Sequence, residues 1–240
     1  MRVTGIVAAL TAEARTLGPL RSHPGPAAAQ SHAISTLRDG SLLIISGMGP
    51  QAATRAARAL VAAGAGSLLS FGLAGALDPR LQAGATLLPE AVTDGSGAVH
   101  RTCTVWRERL ATRVAARAEH HGGTLLSLTQ PLTTASAKSE TWERTHAYAV
   151  DMESFAIAAV AMQEQINFAI ARVVVDTAVD SLPPSVTQAT NLRGEVNPLR
   201  LISGLLRSPT DLFALLRLAR RYRLAMGALR DLGQQALGSP

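Results

Sequence analysis

The chain has 240 residues, of which 47% are hydrophobic and 3% aromatic, and it carries a formal net charge of +6. This length and apolar content suit one domain with a substantial core. Because few aromatic side chains accompany the basic ones, and no basic run is interleaved with them, we predict no nucleic-acid partner.

Cys103 is the single cysteine, so neither a disulfide framework nor a cysteine–histidine metal cluster can be assembled. The six histidines lack ligand spacing, and we predict no metal and no cofactor. A lone thiol fits a reducing cytoplasm. The apolar residues 3–10 include Thr4 and Gly5 and predict a first strand rather than a signal peptide, and no apolar run approaches the length of a membrane span.

In chain order, the residue patterns predict strands alternating with helices. The strands are predicted at 3–9, 31–37, 41–46, 67–72, 84–89, 123–128, 146–150 and 168–175. The helices are predicted at 12–18, 50–63, 106–119, 154–164, 198–206 and 211–232. This alternation predicts an α/β fold in which three layers, α/β/α, enclose a mixed, mainly parallel central sheet.

A first candidate carboxylate follows the first predicted strand. That strand ends near Ala9, Thr11 is in position to cap the next helix, and Glu13 lies in the first helical turn. Ligands of open parallel sheets bind at the carboxyl ends of the strands. Glu13 is therefore a candidate site residue.

A glycine-containing turn, Ser46-Gly47-Met48-Gly49, joins the third predicted strand to a helix that begins with Pro50. Glycines in such a turn let backbone N–H groups approach an anion or a ribose hydroxyl closely. The turn also resembles a degenerate dinucleotide fingerprint, but no acidic residue follows at the required distance. This disfavours an oxidoreductase.

Two further carboxylates follow later strands. Glu153, in Val150-Asp151-Met152-Glu153-Ser154, lies between a strand and an apolar helix, and Asp176 ends a strand that is apolar apart from Arg172. Taken singly, Glu153 could be an acid favoured by the helix dipole and Asp176 a turn residue. Together with Glu13, they place three carboxylates at one sheet edge, which favours a functional site.

These segments together resemble the purine nucleoside phosphorylase and methylthioadenosine nucleosidase superfamily, from residue 3 to about residue 180. The matching segments are Ala9-Leu10-Thr11-Ala12-Glu13, Ser46-Gly47-Met48-Gly49, Phe71-Gly72-Leu73-Ala74-Gly75, Asp151-Met152-Glu153 and the strand ending in Asp176. The interval of 23 residues from Glu153 to Asp176 (176 − 153) resembles that of the nucleosidase branch. The Leu/Arg-rich tail from Asn197 to Leu232 resembles the hopanoid-associated phosphorylases. The resemblance implies a catalytic domain at 1–196 and a helical extension of the same domain at 197–240.

The resemblance implies an enzyme, a nucleosidase or phosphorylase, that cleaves purine N-glycosidic bonds. Asp176 would protonate or hydrogen-bond N7 of the departing purine, and burial would have to keep it protonated. Glu13 would orient or deprotonate the nucleophile, and Glu153 would bind the ribose hydroxyls. The implied substrate-binding residues are Met152, Glu153, Gly47, Met48, Gly49, Gly72, Leu73, Ala74, Thr134 and Ala135.

The nucleophile is left open by the sequence. Glu13 favours water, because the hydrolytic branch carries an acid at the matching position. Phosphate would require an arginine near the glycine turn, and neither Arg55 nor Arg80 falls on a phosphate motif. Leu73 replaces a residue that is commonly small and polar in the Gly-x-Ala-Gly turn, and the loop at 134–136 carries no ring to stack on a base.

The hopanoid-associated branch implies a lipid-linked substrate, adenosylhopane, from which adenine is released during hopanoid side-chain biosynthesis. Two alternatives remain: a soluble nucleosidase acting on methylthioadenosine-like nucleosides, and a non-catalytic nucleoside-binding protein on the same fold. The resemblance also implies a homodimer, and phosphate as a partner if the reaction is phosphorolysis.

The last predicted helix has two interpretations. An apolar stripe recurs at helical spacing, formed by Leu212, Leu215, Leu216, Ala219, Tyr222, Met226 and Leu229, and Arg217, Arg220 and Arg221 lie off it. Such a helix can pack on the sheet domain or lie in a membrane interface. Because a hopanoid tail would stay in the bilayer, we predict an arginine-rich hairpin at 198–232 that docks on anionic lipid. The protein would then be cytoplasmic, with peripheral contact on the inner face of the membrane.

Overall fold

The structure is a computed structural model, which describes residues 3–19, 21–22, 33–115, 120–181 and 211–237. The strands in these residues are β1 (Val3–Ala8), β2 (Arg21–Ser22), β3 (Ser35–Thr36), β4 (Leu42–Ile45), β5 (Ala65–Ala76), β6 (Thr86–Leu87), β7 (Ala91–Thr93), β8 (Val99–Arg101), β9 (His120–His121), β10 (Thr124–Ser127), β11 (Ala149–Asp151) and β12 (Asn167–Asp176). The helices are α1 (Thr11–Thr16), α2 (Pro50–Ala62), α3 (Thr104–Ala115), α4 (Ala135–Thr145), α5 (Ser154–Gln163) and α6 (Asp211–Ala236).

All the described strands belong to one mixed sheet. Its main order is β2-β3-β4-β1-β5-β11-β10-β7-β8, and β12 pairs with β5 outside this path. The central pairs are parallel, namely β1 with β4 and β5, β12 with β5, and β10 with β7 and β11. The antiparallel pairs include β2 with β3, β7 with β8, and β11 with β5. The predicted mixed, mainly parallel sheet is confirmed.

Helices cover both faces of this sheet. On one face α2 and α5 pack together through small and branched residues, among them Ala53, Ala57, Ile157 and Ala161, all buried. On the other face α1, α3 and α6 pack through residues such as Ala14, Trp106, Leu110 and Leu229. Each of these five helices thus buries one apolar face against the sheet. The predicted three-layer α/β/α architecture is confirmed.

The strand β5 runs further than its pattern predicts. The Gly-x-Ala-Gly segment at 72–75 was expected to turn, but the strand continues through Ala76. Residues of β12 pair with β5 as far as Gly75, and β11 pairs with Gly75 and Ala76 from the other direction. Backbone pairing with these two strands keeps the glycine-containing segment extended.

The helix α4 was missed, since its beginning was assigned to a loop. Thr134 caps it, accepting a hydrogen bond from the Ala137 N–H at 3.2 Å. Along the helix, only Lys138 and Thr141 are buried. Because neither residue is apolar, the segment carries no hydrophobic periodicity from which a helix could be predicted.

The helix α6 corrects part of the membrane interpretation. Its C-terminal half lies in the core, with Ala225, Leu229, Leu232 and Ala236 buried and Met226 packed beside them. This half of the stripe therefore faces the sheet and not a bilayer. The predicted helix at 198–206, and with it half of the proposed hairpin, lies outside the described residues. Within the described residues, no helix is long and apolar enough to cross a membrane.

Candidate active site

Glu13 lies where β1 passes into α1, as predicted, but the helix is capped differently. Leu10, not Thr11, is the residue that precedes the helix, and its N–H donates to Glu13 Oε2 at 2.9 Å. The Leu73 N–H of β5 donates to Glu13 Oε1 at 2.8 Å. Two backbone donors, one from the residue before α1 and one from β5, thus fix a carboxylate that is only 2% exposed.

Burial raises the pKa of Glu13 above its ordinary value, although Arg172 and the two backbone N–H groups act in the opposite direction. A carboxylate with a raised pKa is a stronger base than a solvated one. In this position it is suited to accepting a proton from a bound water molecule.

Arg172 is the cation around which the site is built. It lies inside β12 with 1% exposure, and its Nη2 is 2.7 Å from Asp151 Oδ2 and 3.6 Å from Glu153 Oε2. Its Nη1 donates to the Leu73 carbonyl at 3.2 Å. In the sequence, Arg172 is recognisable only as the exception in an apolar strand. A lone arginine in such a strand requires acidic partners, and that was the signal that could have identified it.

Glu153 precedes the first residue of α5 and joins the glycine turn to this network. The Gly49 N–H donates to Glu153 Oε1 at 2.9 Å. Burial raises the pKa of Glu153 to about 7, with Asp151 and Glu13 acting in the same direction and Arg172 against them. The predicted turn at 46–49 and the predicted acid at 153 are therefore in direct contact.

Gly72 permits the acids and the arginine to meet over β5. A Cβ atom at this position would lie 2.5 Å from Glu13 Oε1 and 2.6 Å from Arg172 Nη1. Any side chain would displace both groups. The neighbouring Leu73 serves the site through its backbone N–H and carbonyl, so the small polar side chain missing at this position is not needed for these two contacts.

Asp176 ends β12 next to a β-bulge. The register with β5 shifts between Val174 and Asp176, so that Asp176 lies opposite Gly75. A Cβ atom on Gly75 would be 3.2 Å from Asp176 Oδ1. The bulge and the glycine together direct the carboxylate out of the strand at the sheet edge, as predicted from its position.

Lys138 of α4 forms an ion pair with Asp176 Oδ2 and also donates to the Thr177 carbonyl at 2.8 Å. The lysine is completely buried. A cation beside a carboxylate stabilises its ionised form. The Asp176 carboxyl group is therefore held through Oδ2 by a cation from α4.

The helix α6 reaches the site from the side of the turn that follows Asp176. Asp180 accepts hydrogen bonds from the N–H of Thr177 at 2.8 Å and from its hydroxyl at 2.7 Å, and it forms an ion pair with Arg221. Tyr222 is partly exposed, and burial and the charge of Glu13 raise its pKa. The N-terminal half of α6 thus lies beside the candidate site.

The remaining predicted residues lie around this centre. The Gly47 N–H donates to the Ala9 carbonyl at 3.0 Å, Met48 and Met152 are half-buried, and Ala74 is buried in β5. Thr134 and Ala135 begin α4, where the Ala135 N–H donates to Ser181 Oγ at 3.1 Å. Those two residues adjoin the turn after Asp176, and in the described part of the chain they do not contact the carboxylates.

The two arginines considered for phosphate binding are placed elsewhere. Arg55 is exposed on α2, and Arg80 forms an ion pair with Asp78 at 2.6 Å. Among the described residues, no group of histidine, cysteine, aspartate and glutamate side chains could hold a metal ion.

The raised pKa of Glu153 predicts a pH-dependent stability. An unfolded glutamate titrates near pH 4.3, whereas Glu153 in the folded protein titrates near 7. The folded state therefore holds more protons in this interval, so the contribution is full below about pH 4.3 and is lost as the pH rises through 7. We expect the Tm of the unmutated protein to fall from pH 5.5 to 8 more than that of Glu153→Gln, by at least about 2 °C. Parallel changes of Tm in both proteins, measured by calorimetry, would contradict the assignment.

The comparisons with known proteins agree with this fold. A family model described as the phosphorylase superfamily matches residues 5–197. The structure is similar to the 5'-methylthioadenosine/S-adenosylhomocysteine nucleosidase of Neisseria meningitidis in complex with methylthio-immucillin-A, with a TM-score of 0.72, 14% identity and coverage of 98% of each chain. It is also similar to the S-adenosylhomocysteine nucleosidase of Streptococcus pyogenes in complex with 5-methylthiotubericidin, with a TM-score of 0.69, 16% identity and coverage of 99% of this chain and 98% of that one.

A third similar structure is the futalosine hydrolase of Helicobacter pylori, with a TM-score of 0.68, 14% identity and coverage of 96% of this chain and 97% of that one. No curated protein sequence matches the chain closely enough to count as a relative. At these identities the structural likeness establishes the fold.

Proposed function

Because the chain belongs to the phosphorylase superfamily, we propose that it is a nucleosidase, which cleaves the N-glycosidic bond of an adenine nucleoside with water as the nucleophile. One observation carries this proposal. Glu13, a buried carboxylate with a raised pKa, is fixed at the sheet edge by two backbone donors and lies in one network with Arg172 and Glu153.

The chemistry divides among the acids. Glycosyl transfer proceeds through an oxocarbenium-like state and needs a stabilised leaving group. Asp176 hydrogen-bonds or protonates N7 of the purine, and Glu153 binds the ribose hydroxyls, with Met152 packed against the sugar. Glu13 takes the proton of the attacking water. General acid and base assistance of this kind is worth about 10²–10⁴-fold in rate.

The charges around Glu13 favour water over phosphate. Three acids, Glu13, Asp151 and Glu153, share the single guanidinium of Arg172. Among the described residues, a phosphate anion would enter a centre that has more carboxylates than cations, and such a field repels it. Neither of the arginines considered for phosphate, Arg55 and Arg80, is directed at this centre in the described residues.

For the substrate, we propose a lipid-linked adenine nucleoside of the adenosylhopane type, acted on in hopanoid side-chain biosynthesis. The support lies in α6 beside the site, where Leu216 and Leu224 are 59% and 54% exposed and Arg217, Arg220 and Arg223 are exposed as well. Apolar side chains among arginines suit the surface of an anionic membrane. This proposal includes a peripheral position on the inner face of the membrane and a homodimer. It also includes a catalytic domain at 1–196 with an extension at 197–240.

A soluble nucleosidase acting on methylthioadenosine-like nucleosides is the second candidate. It is favoured by the similarity to the two nucleosidases, which were solved with methylthio-immucillin-A and with 5-methylthiotubericidin. Adenine release, measured with methylthioadenosine and with adenosylhopane in detergent micelles, separates the two. A kcat/KM higher for adenosylhopane supports the lipid substrate, and the reverse order supports the soluble one. Binding without adenine release from either would indicate a non-catalytic nucleoside-binding protein.

The membrane part of the proposal predicts binding to anionic vesicles. Full-length protein should co-sediment with liposomes that contain phosphatidylglycerol, and added salt should weaken this binding. Replacing Arg217, Arg220 and Arg223 by glutamine should abolish most of it. In the matched control variant, glutamine replaces Arg55, Arg58 and Arg109, which are exposed on α2 and α3. This variant should bind the vesicles like the unmutated protein. Protein that stays in the supernatant at low salt would refute the membrane contact.

A further inference from the structure

Lys138 is the sole lysine of the chain, and it is buried completely against a carboxylate of the candidate site. Its Nζ contacts Asp176 Oδ2 and donates to the Thr177 carbonyl at 2.8 Å. In the described part of the chain, these are the hydrogen bonds of its ammonium group. An ammonium group without water and with few partners is costly to bury, so fold stability alone is a poor reason for a lysine here.

The contacts of Asp176 show which of its oxygens remains for a ligand. Oδ2 is engaged by Lys138, whereas Oδ1 faces Gly75 and has no hydrogen-bond partner among the described residues. The carboxylate is therefore held by one oxygen and presents the other at the sheet edge. Two hydrogen bonds fix the start of α4, the helix that carries the lysine. Thr134 caps the helix, and the Ala135 N–H donates to Ser181 Oγ.

We propose that Lys138 is a positioning residue for Asp176: it holds Oδ2 and leaves Oδ1 to meet N7 of the leaving purine. This inference rests on the nucleosidase function proposed above. The O–H bond of the Asp176 carboxyl group breaks as the N7–H bond of the purine forms, and the C–N bond electrons remain on the base. The ammonium group of Lys138 keeps its own protons and stabilises the carboxylate that results.

Among the described residues, the other charged groups near this pair are either paired elsewhere or exposed. Asp180, in the turn after β12, is paired with Arg221 of α6. Arg172, four residues before Asp176 on β12, is held by Asp151 and Glu153. Glu140 and Glu143 of α4 are exposed to solvent. Within the described part of the chain, Lys138 is therefore the cation that is paired with Asp176.

The test compares Lys138→Met, which keeps length without charge, and Lys138→Arg, which keeps the charge. With an adenine nucleoside, we expect Lys138→Met to lower kcat at least about tenfold with little change in KM. Lys138→Arg should restore part of kcat, because it keeps the positive charge beside Asp176.

A substrate whose leaving group needs no proton provides the decisive control. p-Nitrophenyl ribofuranoside departs as a stable phenolate, so Lys138→Met should cleave it at nearly the rate of the unmutated protein. Equal losses on both substrates, with no recovery of kcat in Lys138→Arg, would show a purely structural role and overturn the inference. If the unmutated protein releases no adenine, the proposed function itself fails, which is a separate result.

Discussion

Replacing Asp176 by asparagine is expected to lower kcat for adenine release at least about 10²-fold, because an amide cannot supply the leaving-group proton. Nucleoside binding, measured by calorimetry, should change little, since the amide can still hydrogen-bond the purine. Asp94→Asn, the same chemical change in a surface turn, is the matched control and should keep full turnover. Near-normal kcat in Asp176→Asn would assign the residue to structure and remove the general acid from the mechanism.

Glu13→Gln is expected to lower kcat by about 10²–10⁴-fold, because the amide cannot take the proton of the attacking water. One of the two backbone N–H groups that now donate to Glu13 loses its acceptor, so the Tm should also fall modestly. The rate is therefore measured per folded molecule. Glu164→Gln, at an exposed position after α5, is the control. A variant with reduced Tm but unchanged kcat would show that Glu13 only stabilises the fold.

The positions of two of the three predicted acids follow from a rule about sheets. Glu13 lies in the first turn after β1 and Asp176 ends β12, and both strands are parallel to β5, so their carboxyl ends share one edge. Glu153 follows β11, which is antiparallel to β5, yet it joins Glu13 in one network around Arg172. Sequence position could therefore identify the edge for Glu13 and Asp176, without showing which groups touch.

The partners of these acids could not be predicted in the same way. Arg172 and Lys138 are cations whose burial depends on how β12 and α4 pack. The lysine is on a helix whose buried residues are Lys138 and Thr141, with Trp142 only partly buried, so hydrophobic periodicity could not reveal the helix or the direction of its lysine. The available signals were the one arginine in a buried strand and the one lysine in the chain.

The tail shows how a surface pattern can conceal a core helix. Met226 and Leu229 belong to a regular stripe with arginines beside it, which is typical of an interfacial helix. The structure packs both against the sheet, while Leu216 of the same stripe is exposed. Helical spacing identifies a face, but only tertiary contacts determine what covers it.

The central claim is that Glu13 activates water, and the fate of isotopically labelled water tests it most directly. The unmutated protein is incubated with an adenine nucleoside in ¹⁸O-labelled water that also contains phosphate, and the ribosyl product is analysed by mass spectrometry. Our account predicts free adenine and one ¹⁸O atom at the anomeric position of a free sugar. An unlabelled sugar phosphate as the sole product would show phosphorolysis and contradict the account.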